Sequence, residues 1–175
     1  MPGLMPGILW NLEVNMTDTP QFLSERLISE GEKSIAFFKE IRLDQYSQVI
    51  YTEGSHWTVH QVIAHFVTSE HSLCRLVENI ACGGPGTPED FNIDSYNERK
   101  VLELASMSVD EMLERFRLNR QMTAALVAGL QLSDLEKQGR HPFLGVAPLT
   151  EIIKIIYRHN QIHQREVRKA LSIAG

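Results

Sequence analysis

The stretch Leu149–Leu171, LTEIIKIIYRHNQIHQREVRKAL, decides how the rest of the chain is read. Successive helical residues advance by about 100°. At that step Leu149, Ile152, Ile153, Ile156, Val167 and Leu171 share one stripe about 100° wide, which must be buried. His159 and His163 stand at its edge, about 40° apart by the same geometry. Both imidazoles are therefore expected to face the interior one turn apart, where two ring nitrogens reach one ion. A hydrogen-bonded pair at the core edge, without metal, has the same spacing.

Three more long segments share this period. Thr19-Pro20 opens a helix running to about Ile41, with Leu23, Leu27, Ile35, Phe38 and Ile41 on one side and Gly31 as an interruption. Thr58 is a good N-cap for a second helix, which ends near Ala81 before Cys-Gly-Gly-Pro-Gly-Thr-Pro. A shorter helix is expected over Ser95–Leu104. Ser108-Val-Asp-Glu111 is a capping box that opens a third long helix to about Leu130. Gln138–Pro148, with two prolines and two glycines, reads as loop. Strand-type alternation of useful length, internal repeats and low-complexity tracts are not seen. The expected fold is all-α: a four-helix bundle, with a short extra helix between the second and third long ones.

The second long helix carries the stripe Val59, Val62, Ile63, Phe66, Leu73, Val77 and Ile80. His65 lies at its edge, whereas His60 and His71 lie around the other side. A third inward imidazole completes the minimum ligand set for an open metal site. Three neutral histidines favour zinc, nickel, iron or copper over magnesium or calcium. His56 and His141 fall in loops, where a fourth ligand or a solvated side chain is expected.

Two charges interrupt apolar stripes. Glu70 is one, and Arg120, among Met112, Leu113, Phe116, Thr123, Val127 and Leu130, is the other. An unpaired buried charge is too costly, so each needs a partner. The simplest solution is a Glu70–Arg120 pair. The functional alternative makes Glu70 an acceptor for a ligand histidine or a catalytic base.

At 175 residues the chain has the size of one domain. We divide it into an N-terminal extension, residues 1–19, and a bundle domain, residues 20–175. A net charge of −5 argues against nucleic acid, which needs a basic face. The longest apolar runs are too short to span a bilayer. Residues 1–15 lack the basic start and cleavage site of a secretory signal. Packing of that extension on its own domain or on a second subunit is expected, and Met16 is a candidate start. Two cysteines, Cys74 and Cys82, are too few for a disulfide framework and suit a cytoplasmic protein.

Taken in order, these residues resemble a known family. Trp57-Thr-Val-His-Gln-Val-Ile-Ala-His65 with Glu70, Asp94-Ser-Tyr-Asn97-Glu-Arg99, Arg120, and His159-Asn-Gln-Ile-His163 followed by Arg168-Lys-Ala-Leu are similar to the DinB/YfiT-like superfamily, across about residues 20–172. The resemblance implies an up-down-down-up bundle, frequent homodimers, and a nickel- or zinc-type ion on His65, His159 and His163. It also implies relatives that are transferases and isomerases using low-molecular-weight thiols.

On that basis a metal-held thiol would attack a small electrophilic substrate. Metal-dependent hydrolysis is the near variant, and a non-catalytic metal-binding or stress-response module is the alternative from another class. Asn160 stands where the zinc-protease motif H-E-x-x-H carries its general-base glutamate, so a base must come from elsewhere. Asn97 and Arg99 are candidates for binding an anionic thiol or substrate, although a polar surface helix explains them equally well.

Overall fold

The structure, a computed structural model, describes residues 18–51 and 55–172. The expectations for residues 1–17 therefore lie outside the described residues.

Among the described residues, five α-helices form: α1 (Pro20–Lys39), α2 (Val59–Ala81), α3 (Ile93–Leu102), α4 (Val109–Ala128) and α5 (Leu149–Ala170). Their starts follow local chemistry. Thr19 accepts from the Phe22 amide, Thr58 and Gln61 form a reciprocal capping box, Asn92 caps α3, and Ser108 and Glu111 form the box read from sequence.

Side-chain contacts fix the helix directions. Between α2 and α4, Phe66 meets Phe116 and Glu70 meets Arg120, so the two run parallel. Between α1 and α4, Ser24 bonds the Ala124 carbonyl while Glu32 meets Arg117, so they are antiparallel. Gln161 bonds Glu30 and Gln164 bonds Ser34, so α1 and α5 are parallel. The order is thus up-down-down-up, with α4 and α5 each packed against both α1 and α2. Two parallel neighbours, α2 and α4, need a return path between them; α3, lying on α2, supplies it.

Buried apolar side chains form two clusters. One centres on Phe38, Val62, Phe66, Phe116 and Val167, the other on Leu23, Leu27, Val77, Val127, Ile152 and Ile156. Near their boundary lies a polar layer built on Arg120, described below. Among the described residues, no helix is long and apolar enough to cross a membrane.

One segment departs from the expected loop. Gln138–His141 (β1) and Gly145–Pro148 (β2) pair antiparallel in a hairpin that leads directly into α5. Gly139 lies against the Ile80 side chain, where a Cβ would collide, and Gly145 takes a positive φ of 71° at the turn. Four-residue strands are too short to show a period of two, and the glycines that permit the hairpin look like loop residues. His141 is accordingly not a solvated loop residue: it lies in β1, 6% exposed.

Candidate metal centre

His65 comes from α2, His159 and His163 from α5, and these helices run antiparallel side by side. The stripe of each turns its edge toward the other, so three rings meet at the seam. His159 Nε2 lies 2.9 Å from His65 Nε2 and 2.9 Å from His163 Nε2. One ring nitrogen from each residue falls within 4.8 Å of the others. His65 and His163 are buried and His159 is half-buried.

Burial, reinforced by the neighbouring His163, holds His65 and His159 well below the ordinary histidine range, so both are neutral near pH 7. Hydrogen bonding among the three rings is not self-sufficient. His159 Nε2 has either one hydrogen or one lone pair, and so satisfies only one of its two neighbours. A divalent ion accepts all three lone pairs. The donor set fits a transition metal, and the two 2.9 Å separations match the roughly 3 Å expected between ligand nitrogens about 2.0–2.1 Å from one ion.

The far sides of the rings differ. Tyr51 Oη contacts His163 Nδ1 and donates to Glu166 Oε2 at 2.7 Å, and that carboxylate lies 3.2 Å from the same Nδ1. The hydrogen bond from His163 lowers the Glu166 pKa, whereas burial raises that of Tyr51. Sequence reading missed both residues. Glu166, three residues beyond His163 on α5, had a findable helical signal; Tyr51 had none, because it sits in the connection before α2. Among the described residues, His65 Nδ1 is buried without a hydrogen-bond partner, and its ring is held against Trp57, centroids 4.8 Å apart.

Glu70 does pair with Arg120, at 2.7 Å, with both side chains 2% exposed. Asn160, beside His159, is buried and accepts from the same guanidinium at 2.6 Å. His141 accepts from the Phe143 and Leu144 amides and lies outside the three-ring cluster. Among the described residues, no hydrogen bond or ion pair joins Asn97 or Arg99 to the three rings. Both residues stand on α3, whose Tyr96 bonds Ser72, two turns beyond His65 and about 10 Å along the helix axis. The Arg99 guanidinium rests over the Tyr96 ring.

Comparison with known proteins identifies the family and the fold. The DinB superfamily model matches residues 27–167. Proteins of Bacillus cereus (strain AH820) and Bacillus anthracis (strain A0248), provisionally named metal-dependent hydrolases, are each 31% identical over 153 residues, covering 85% of this chain and 83% of theirs. YfiT from Bacillus subtilis, a four-helix bundle of unusual topology provisionally assigned as a metal-dependent hydrolase, superposes with a TM-score of 0.66 at 16% identity, over 84% of this chain and 85% of its own. A mycothiol-dependent maleylpyruvate isomerase gives 0.65 at 13% identity over 85% of this chain, which spans 59% of that larger one. At such identities these two structures speak for the fold alone. The sequence match over most of the chain, on a bundle of the same topology, places this protein in the DinB superfamily.

Proposed function

We propose that this chain is a metal-dependent enzyme that transfers a low-molecular-weight thiol to a small electrophilic substrate, with His65, His159 and His163 holding a nickel- or zinc-type ion. The observation that carries this reading is the convergence of three buried or half-buried ring nitrogens within 4.8 Å of one another. Three protein donors leave further coordination positions for a reactant, as catalytic rather than structural sites do. When bound, such an ion lowers the pKa of a thiol or water so that it is a nucleophile near neutral pH.

The chain's own groups fit that division of labour. Neutral His65 and His159 offer lone pairs, and Glu166 and Tyr51 orient His163 through Nδ1. Among the described residues, Glu70, five positions after His65, is ion-paired with Arg120 through Oε2 while its Oε1 has no hydrogen-bond partner, and Glu166 is engaged with Tyr51 and His163. This supports a nucleophile acidified at the centre, whose proton leaves to solvent, over one that needs a protein base. In the transfer the S–H bond breaks, a sulfur–carbon bond forms and the leaving group departs with its electron pair; no oxidant or reductant is required. The shared fold of a mycothiol-dependent enzyme supports the choice of thiol. The name borne by the 31% identical relatives favours hydrolysis as the second reading, with water in place of the thiol.

Elemental analysis of purified protein should find about one transition ion per chain, absent from His163→Ala. The loaded protein is then given a chromogenic halonitroarene with cysteine or glutathione, and separately a nitrophenyl ester. Metal-dependent thioether formation supports the proposal, ester cleavage alone supports hydrolysis, and bound metal without either product indicates a non-catalytic module. Equal metal content in wild type and His163→Ala ends the three-histidine reading.

A further inference from the structure

Among the described residues, Arg120 is the largest of the fully buried side chains, 2% exposed, and it lies where the two apolar clusters meet. Its guanidinium reaches every other long helix from α4. Nη1 donates to the Leu27 carbonyl of α1 at 3.1 Å, and Nη2 donates to Glu70 of α2 at 2.7 Å and to Asn160 of α5 at 2.6 Å. Phe116 packs beneath it, 5.1 Å from ring centroid to guanidinium carbon. On α1, Gly31 leaves the space that its aliphatic stem fills.

Two of these partners sit on the helices that carry the three histidines. Asn160 directly follows His159 on α5, and Glu70 lies five residues after His65 on α2. One rigid cation therefore clamps α2 to α5 next to the seam at which His65 must meet His159 and His163. The bonds are short and made to a planar fork, so they fix separation and rotation together, which an apolar contact cannot. Stability alone does not account for the arrangement, because well-packed apolar residues serve as well as a buried ion pair or better.

We propose that Arg120 is the positioning residue of the metal centre, acting through Asn160 and Glu70 to hold α2 and α5 at the spacing where three ring nitrogens share one ion. The inference rests on the metal-centre reading above.

The test is cobalt(II) binding, measured by chelator competition and by the visible absorption of the bound ion. Asn160→Ala removes one acceptor while leaving the Arg120 bonds to Glu70 and Leu27 in place. It is expected to weaken cobalt affinity about 10- to 100-fold and to change the visible spectrum. Asn160→Asp keeps an acceptor oxygen and should remain within a few-fold of wild type. Val77→Ala, in the apolar cluster away from the site, supplies a destabilised control whose affinity should not move. Unchanged binding in Asn160→Ala, an equal loss in Asn160→Asp, or an equal loss in Val77→Ala each overturns the proposal. Wild-type protein that takes up no cobalt is a separate result, and it overturns the metal-centre reading and this inference together.

Discussion

Tyr51 donates a 2.7 Å hydrogen bond to Glu166, and the two groups together meet His163 Nδ1, opposite the Nε2 that faces His159. A hydroxyl from the connection before α2 and a carboxylate from α5 thus fix the tautomer and tilt of one ring. Acceptors on the far side of a ligand histidine raise its basicity and hold its orientation. Glu166→Gln replaces the carboxylate with a weaker acceptor, and Tyr51→Phe removes the hydroxyl. Each is expected to lower zinc or cobalt affinity about 10- to 100-fold with little change in helical content. Competition with a chromogenic chelator, beside circular dichroism, checks this; affinities equal to wild type in both variants would show that His163 needs neither group.

Gly31 offers a case in which two effects oppose each other. Glycine within a helix costs about 1 kcal/mol relative to alanine, so propensity alone makes Gly31→Ala stabilising. The added Cβ would lie 2.9 Å from Arg120 Cγ, and that stem cannot swing away because its guanidinium is bonded to three helices. Overpacking of this kind costs about 1–3 kcal/mol. Gly31→Ala is therefore expected to be net destabilising. Urea denaturation decides it, and a gain in stability would mean that Arg120 is not held as tightly as its bonds indicate.

How much of this was legible in the sequence depended on whether a signal was local. His159 and His163 declared themselves by a four-residue interval on a strongly striped helix, and His65 by its place beside another stripe. Glu70 and Arg120 were visible as charges where apolar residues belong, which forced the expectation of a pair. Asn160 was noticed only for the glutamate it replaces; its bond to Arg120 depends on how α4 meets α5, which no single helix records. Tyr51 reaches the rings because the chain before α2 folds back, with the Ile50 amide bonding the Trp57 carbonyl. That path is set by tertiary contact rather than by period. Gly31 read as a flaw in a helix until the side chain occupying its space was known.

His141 gives the fold an acid-sensitive point outside the ring cluster. Burial pushes its pKa down from 6.5 to about 4, while Nδ1 accepts from two hairpin amides. Between those values the unfolded chain binds a proton that the folded chain refuses. Stability is therefore full above about pH 6.5 and declines as pH falls toward 4. The gap corresponds to about 3 kcal/mol at its fullest, as an order of magnitude. His65 and His159, also held below the ordinary range, act in the same direction. Urea melts of metal-free protein from pH 7 to pH 4 should show this decline, with a shallower slope in His141→Asn. Parallel curves for the two proteins would remove His141 from the account.

The three rings should weaken the fold when no metal is bound. His65 is buried, its Nδ1 lacks a hydrogen-bond partner among the described residues, and its Nε2 competes with His163 for a single position on His159. A buried polar atom left unsatisfied costs about 1–3 kcal/mol, and a leucine of similar volume carries no such atom. His65→Leu is accordingly expected to raise the stability of the metal-free chain by about 1–2 kcal/mol while abolishing metal uptake. In the presence of saturating metal the order reverses, because only the wild type gains binding free energy on folding. Melting temperatures of both proteins, with metal and with chelator, make a four-way comparison. A wild type more stable than His65→Leu even under chelator would show that the rings are satisfied without an ion, so that nothing in their hydrogen bonding calls for a metal.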